Sequence, residues 1–128
     1  MPGDLDLSVP ATTRGLGEAL NALEAICGEG HALLARGRIV LEELFTNTIK
    51  YGYGGECDRP VRLSFRLQAA LVFVMEDEAP RFDPTGWVPA PGSAERVGQA
   101  GIAMVLGLSS QVSYEALANG NRITVVIR

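Results

Sequence analysis

The sequence has few of the residues that build metal centres or disulfide frameworks. Its 128 residues include two cysteines and one histidine, and Cys27 and Cys57 do not form a Cys-x-x-Cys pair. Because His31 is the only histidine, there are too few soft ligands for a structural zinc site. We therefore interpret the chain as a reduced, intracellular protein.

The sequence also lacks a membrane segment and an excess of positive charge. No basic segment followed by an apolar run opens it, and no stretch approaches the roughly 18 apolar residues that a membrane helix needs. Eleven Lys and Arg against fifteen Asp and Glu give a formal net charge of −4, which argues against nucleic acid or an anionic membrane as the main partner. We expect a cytoplasmic protein. Any polyanion that it binds would be held at a specific local site and not by a positively charged surface.

The length predicts a single domain over residues 1–128, large enough to bury a core without disulfides or metal. Alternation of apolar and polar residues over 5–9 predicts a short strand that ends at Pro10. A helix follows, capped by Thr12 or Thr13 and ended by Gly28. Its apolar residues recur at helical spacing, which indicates that the helix packs in the core and contributes to a surface for a partner.

A second helix, predicted over residues 32–51, carries the most informative pattern. Glu43 and Asn47 lie four residues apart, and on a helix this spacing stacks their side chains on one face. That face can hold a metal-bound polyphosphate, while apolar residues between them suit burial against a sheet. A glycine-rich turn over 52–55 ends the element.

The second half of the chain predicts four strands, one long loop and one helix. The strands cover residues 61–67, 71–75, 111–117 and 122–127, and the last two are joined by an Asn-Gly hairpin turn within 118–121. The continuously apolar run over 71–75 indicates a central strand covered on both faces. Four prolines and two glycines between Ala79 and Gly98 predict a loop of functional length. A helix over 102–108 follows, opened by the turn Gly98 to Gly101.

Two common phosphate-binding fingerprints, the Walker-type loop and Gly-x-Gly-x-x-Gly after a strand, are absent from the sequence. Three separated pieces could hold a nucleotide instead: Glu43 with Asn47, Asp77 at a strand end, and Gly98 with Gly101 at a helix start. The last can present free backbone N–H groups to phosphates. Each piece alone also fits an ordinary solvated face, strand end or turn, so the order and spacing of all three carry the hypothesis.

These three pieces resemble the sequence boxes of the GHKL ATP-binding fold, and within it the RsbW-type anti-sigma-factor serine/threonine kinase family. Residues 43–53 (Glu-Leu-Phe-Thr-Asn-Thr-Ile-Lys-Tyr-Gly-Tyr) resemble the N box, residues 76–84 the first glycine box and residues 98–105 the second. The similarity continues over 112–114 and 120–123 and covers essentially the whole chain. It implies an α+β fold, a two-layer α/β sandwich of the GHKL (Bergerat) type, with a mixed, mostly antiparallel sheet covered on one face by helices.

The resemblance also implies ATP and Mg²⁺ as cofactors and assigns roles to individual residues. Asn47 would coordinate Mg²⁺, Glu43 would be the base that activates the attacking hydroxyl or water, and Asp77 would accept a hydrogen bond from the adenine amino group. Gly98 and Gly101 would let the backbone approach the phosphates. The remaining cofactor-binding positions by this resemblance are Lys50, Ala79, Phe82 and Ile102.

The sequence departs from the family pattern at three positions. Ala79 and Gln99 stand where the two glycine boxes have glycine, and Tyr51 replaces the usual histidine of the N box. If those glycines allow positive φ or close approach, their absence weakens or alters nucleotide binding. The short segment from Thr85 to Val97 would be the lid over the nucleotide, with Trp87 packed on it.

Three functions fit these observations. The first is an anti-sigma-type kinase that phosphorylates a serine or threonine of a small protein antagonist in a partner-switching system. The second is a nucleotide-dependent binding module that sequesters a sigma factor or another regulator without significant turnover. The third is a detached catalytic domain of a histidine kinase, which is disfavoured because no phosphoacceptor-histidine helix precedes the fold. By resemblance, a homodimer that binds neither nucleic acid nor membrane is expected.

Overall fold

The structure is a computed structural model that describes residues 3–85 and 96–128, and only the backbone of residues 96–100. Two layers are formed, one of strands and one of helices. The elements in chain order are β1 (Gly3–Ala11), α1 (Thr13–Cys27), α2 (Leu34–Asn47), a π-helical turn (Thr48–Gly52), β2 (Cys57–Leu67), β3 (Leu71–Asp77), α3 (Arg96–Leu108), β4 (Gln111–Leu117) and β5 (Gly120–Ile127).

The five described strands form one sheet in the order β1-β2-β3-β5-β4. All four pairings between them are antiparallel, where the family resemblance allowed for a mixed sheet. Side chains alternate along each strand between the face that the helices cover and the opposite face. The predicted two-layer α+β sandwich is therefore confirmed.

The core lies between the sheet and the helices α1 and α2. Phe65 and Phe73 face each other across β2 and β3, with ring centroids 6.1 Å apart in an edge-to-face arrangement. Phe45 of α2 is fully buried and belongs to the same apolar cluster. Aromatic pairs of this geometry add packing energy beyond their buried area. Helix α2 packs on the sheet through Phe45 and the other buried residues of this cluster.

The strand predictions hold in position but differ in detail. β3 is central, as expected, but it is not covered on both faces: its residues alternate between buried and half-buried, because helices lie on one face only. β1 continues through Pro10 to Ala11, with a register shift there, which an edge strand tolerates since one side of it needs no ladder hydrogen bonds. β5 already begins at Gly120, so the hairpin turn is Ala118 and Asn119.

Helix α1 agrees with its predicted signals. The Thr12 hydroxyl accepts a hydrogen bond of 2.9 Å from the Gly15 N–H, which makes it the N-cap residue. Gly28 ends the helix with a φ of +86°, a conformation that suits glycine.

Helix α3 differs from its prediction. It begins at Arg96, so Gly98 and Gly101 lie inside the helix rather than in a turn that opens it. Gly98 is in the first turn, where backbone N–H groups have no helical acceptor, but Gly101 is beyond it. A glycine in a helix interior costs about 1 kcal/mol relative to alanine, so Gly101 needs a separate explanation.

Within the described residues, the longest apolar helix is too short to span a membrane.

Two glycines of α1 give a matched test of how closely the helix packs. A Cβ on Gly15 would lie 1.9 Å from the backbone oxygen of Pro10, whereas a Cβ on Gly17 would meet no atom within 4 Å. We expect Gly15→Ala to lower the free energy of unfolding by about 1–3 kcal/mol through overpacking. Gly17→Ala should raise it by about 0.5–1 kcal/mol through better helix propensity. Urea unfolding of both variants checks this, and equal effects would contradict the packing.

Candidate functional site

The buried carboxylate of Asp77 is the centre of the site. It lies at the end of β3 and is only 5% exposed. Its Oδ1 accepts hydrogen bonds from the Asn121 side-chain amide (2.8 Å) and from the Ala79 N–H (3.0 Å). Its Oδ2 accepts one from the Thr48 hydroxyl at 3.3 Å. Oδ2 therefore keeps capacity to accept a further hydrogen bond from a ligand.

Asn121 holds Asp77 and the loop after it in one network. Its Nδ2 donates to Asp77 and to the backbone oxygens of Ala79 (3.3 Å) and Pro80 (3.1 Å). Its Oδ1 accepts from the Phe82 N–H at 2.9 Å and from the Tyr114 hydroxyl. The residue is 6% exposed, and its amide is fully used by the protein, so it positions the site rather than offering a free contact.

The sequence interpretation did not assign a role to Asn121, although it lies in a stretch that resembles the family. The preceding Gly120 explains how β5 comes so close to Asp77. A Cβ on Gly120 would lie 1.9 Å from the Asp77 backbone oxygen, so only glycine fits there. One sequence signal could have indicated a role for Asn121. The Gly120-Asn121 pair stands directly before the last predicted strand, and the predicted central strand ends in the carboxylate of Asp77.

The C-terminal end of α2 supplies the next part of the site. Asn47 is 5% exposed, and its Nδ2 has no hydrogen-bond partner within the described residues. The helix then changes to a π-helical turn, in which the Tyr53 N–H donates to the Thr48 oxygen five residues earlier, at 2.8 Å. Asn47 and Thr48 are both buried here, and Thr48 contacts Asp77. Such local π turns are frequent at functional sites.

Glu43 lies one turn before Asn47 and contacts α3. It is half-buried, and its Oε2 lies 2.3 Å from the position that a Cβ on Gly101 would take. Helix α2 therefore touches α3 through Glu43, and the π-helical turn that follows it touches the end of β3 through Thr48. Lys50, by contrast, is exposed on the π-helical turn, and its role toward a cofactor stays a prediction.

Ala79 fits its position without backbone strain. Within the described residues, positive φ occurs only at glycines, so Ala79 does not need the freedom of the glycine that the family pattern has there. It is 2% exposed, and its Cβ would lie 3.2 Å from a Cβ on Gly52. The methyl group of Ala79 is therefore accommodated by a glycine of the N-box segment.

Tyr53, the last residue of that segment, ties two strands together beside the site. Its hydroxyl donates to the Pro60 oxygen and accepts from the Glu78 N–H, each at 2.8 Å. Burial is the main cause that raises the pKa of Tyr53 above its ordinary value. The guanidinium of Arg59 stacks on its ring at 5.4 Å. The segment from 48 to 53 is thereby fixed to β2 and β3.

A small cavity lies against Asp77. Its volume is about 20 Å³, room for about one water molecule. Its walls include Thr48, Phe82 and Pro84, and the Phe82 ring lies 6.0 Å from that of Tyr51. A base that reached Asp77 through this cavity would have to displace Phe82 or Pro84.

The other predicted site residues lie in or next to α3. Ile102 is buried beside Gly101, and Gly98 lies in the first helical turn. Gln99 lies in that turn too, with only its backbone described, and most of the predicted lid, Trp87 included, lies outside the described residues. Among the described residues, no group of three or more His, Cys, Asp or Glu could hold a metal ion.

Comparison with known proteins agrees with this geometry. The family model described as "Histidine kinase-like ATPase domain" matches residues 9–127, while a search of curated proteins found no match. The structure of the RsbU and RsbW domains of Rv1364c from Mycobacterium tuberculosis is similar, with a TM-score of 0.69 at 17% identity, covering 98% of this chain and 32% of that one.

A second similar structure is the histidine kinase domain of a blue-light activated histidine kinase from Erythrobacter litoralis. Its TM-score is 0.53 at 18% identity, and the match covers 92% of this chain and 60% of that one. The histidine kinase AdeS from Acinetobacter baumannii has a TM-score of 0.50 at 16% identity, with 96% and 66% covered. The chain thus spans about a third of the first structure and three fifths of the second, and at these identities the likeness concerns the fold.

The network around Asn121 predicts a large difference between two neighbouring asparagines. Asn121→Ala removes one of the three hydrogen bonds to Asp77 and the side-chain partners of the Ala79 and Pro80 oxygens and the Phe82 N–H, and we expect it to lower the free energy of unfolding by about 1–3 kcal/mol. Asn119→Ala, at the exposed tip of the same hairpin, should change it by less than about 0.5 kcal/mol. Urea unfolding compares them, and similar values for both would contradict a clamping role.

Proposed function

This chain belongs to the histidine kinase-like ATPase domain family, and on that basis we propose that it is an ATP-binding protein serine/threonine kinase of the anti-sigma type. Its substrate would be a hydroxyl of a small antagonist protein in a partner-switching system. ATP would lie with its base at Asp77 and its phosphates toward Asn47 and the first turn of α3. Gly98, in that turn, would offer its N–H to a phosphate.

The observation that carries the proposal is the unpartnered amide of Asn47. A buried polar group without a partner costs about 1–3 kcal/mol, and a phosphate oxygen of a bound nucleotide could accept a hydrogen bond from this Asn47 Nδ2. Asn47 ends α2, which contacts α3 through Glu43, and it directly precedes Thr48, which contacts Asp77. A nucleotide that spans from Asp77 to α3 would pass Asn47 and supply the missing partner.

The residues present fit a magnesium ion that arrives with the nucleotide. The Asn47 side-chain oxygen is a hard donor, and Mg²⁺ commonly takes only one or two protein ligands and keeps phosphate oxygens and water. The lack of a carboxylate or histidine cluster among the described residues agrees with such a shared site. When bound, the ion would neutralise charge that develops on the transferred phosphoryl group.

Glu43 would act as the base. The hydroxyl oxygen of the protein substrate would form a bond to the γ-phosphorus while the bond from that phosphorus to the β,γ-bridging oxygen breaks. The electron pair of the broken bond leaves with ADP, and the hydroxyl proton passes to the Glu43 carboxylate. Within the part of the chain that the structure describes, no hydrogen bond or ion pair already occupies this carboxylate, so it is available for a proton.

The partners are proposed from the same family relationship. A similar structure contains RsbU and RsbW domains, which agrees with a partner-switching setting. An antagonist protein and a sigma factor as binding partners, and a homodimer as the assembly, are proposed from the resemblance of the sequence motifs alone. A binding module without turnover is the alternative. Ala79 has no positive φ, so this departure from the family pattern introduces no backbone strain that would favour the alternative.

Substitutions on α2 separate binding from transfer. With labelled ATP, magnesium and a candidate antagonist, Glu43→Gln should lower phosphoryl transfer by roughly 100-fold or more while ATP still binds, since a general base contributes 10²–10⁴-fold. Asn47→Ala should weaken magnesium-dependent ATP binding itself. Glu42→Gln, the exposed neighbour on the same helix, is the matched control and should behave like the wild type.

The outcome that contradicts the kinase assignment is specific. Transfer that survives both Glu43→Gln and Asn47→Ala would remove these residues from their proposed roles. Tight magnesium-dependent ATP binding by the wild type, with no transfer to any antagonist and no hydrolysis, would favour the binding module.

A further inference from the structure

Gly101 occupies an unusual position in α3. A Cβ at this residue would lie 2.3 Å from Glu43 Oε2 and 3.2 Å from Glu43 Cδ. Real Cβ atoms essentially never approach a heavy atom within 3.0 Å, so the Glu43 carboxylate occupies the space that any other residue at 101 would fill. Gly107, in the last turn of the same helix, shows the contrast, because a Cβ there would meet no atom within 4 Å.

The close approach is informative because other contacts do not fix this carboxylate. Among residues 3–85 and 101–128, no hydrogen-bond donor and no cation pairs with Glu43. The residue lies on α2, which is held on the sheet by fully buried Leu44 and Phe45. Its backbone is therefore fixed, while its carboxylate is bounded by the bare backbone of Gly101.

We propose that Gly101 is a positioning residue for Glu43: the missing side chain creates the space in which the carboxylate lies between α2 and α3. This inference rests on the proposed kinase function for its catalytic consequence. It differs from the expectation that Gly101 lets the backbone approach a phosphate, since Gly101 lies beyond the first turn and its N–H is directed along the helix.

Adding one methyl group should therefore affect the base more than the nucleotide site. The atoms in conflict are at the end of a flexible side chain, so Glu43 can swing away without a shift of either helix. Asp77 and Thr48 are held by other contacts and should stay in place. A displacement of about 1 Å of a reacting group can lower a rate by about 100-fold.

The kinetic test compares Gly101→Ala with Gly107→Ala. We expect Gly101→Ala to bind Mg-ATP within about threefold of the wild type, measured by calorimetry, while its kcat for phosphoryl transfer falls by roughly 10–100-fold. Gly107→Ala should match the wild type in both quantities. A tenfold or greater loss of ATP affinity in Gly101→Ala with kcat unchanged would overturn the inference and favour a phosphate contact.

A double-variant cycle separates positioning from general damage to α3. When Glu43→Gln has already removed the base, Gly101→Ala should cause no further loss of kcat, because effects on one functional unit are not additive. If Gly101→Ala instead lowers kcat by the same factor with and without Glu43→Gln, Gly101 acts by another route and the inference is overturned.

One readout does not require activity. The carboxyl-carbon NMR resonance of Glu43, assigned with Glu43→Gln, should move in Gly101→Ala and stay in place in Gly107→Ala. An unmoved resonance in Gly101→Ala overturns the inference whatever the wild-type activity. If the resonance moves but the wild type transfers no phosphoryl group, the kinase proposal fails and the positioning of Glu43 stands.

Discussion

The buried carboxylate of Asp77 is the constraint on which the rest of the site depends. An ionisable group taken out of water is costly unless hydrogen bonds compensate it. Here the compensation comes from three different parts of the chain: Asn121 at the start of β5, the Ala79 N–H after β3, and Thr48 at the start of the π-helical turn after α2. The sheet and the helix layer are thus connected at the point where a ligand would be recognised.

This connection explains two local features that would otherwise weaken the protein. Gly120 has no side chain because β5 must pass close to the Asp77 carbonyl. The π-helical turn after α2 keeps Asn47 and Thr48 buried and lets Tyr53 bond to both flanking strands. In both cases a feature that is unfavourable for a regular strand or helix occurs at the candidate site, as is common at functional positions.

Much of the fold could be predicted from the sequence, because period-two and helical patterns report which faces are buried. The strands β1, β2, β4 and the helix α1 followed these signals closely. The apolar run of β3 was misleading, since hydrophobicity alone cannot tell a face covered by helices from a half-buried one. The start of α3 was also predicted wrongly, because glycines at 98 and 101 are typical of a turn. The sequence does not show that Gly101 lies inside the helix with the Glu43 carboxylate beside it.

The site was predictable as a set of residue types but not as a network. Glu43, Asn47 and Asp77 were proposed from their order and spacing together with the family resemblance, and their role in nucleotide binding stays a prediction. Their connections through Thr48, Asn121 and Gly101 depend on contacts between residues distant in sequence. Asn121 in particular lies 44 positions from its partner Asp77. The sequence left open whether Ala79 stands at a position that needs positive φ, and only the backbone conformation and the facing Gly52 show that its side chain is accommodated there.

We propose that Asp77 recognises the base of ATP, and the nucleotide selectivity of binding tests this role most directly. Calorimetric titration should show that the wild type binds Mg-ATP at least about tenfold more tightly than Mg-GTP, because guanine presents an acceptor where adenine presents its amino group. Asp77→Asn should lose most of this preference, while Asp58→Asn, an exposed control, should keep it. Equal affinities for the two nucleotides in the wild type, or a preference unchanged in Asp77→Asn, would contradict the account.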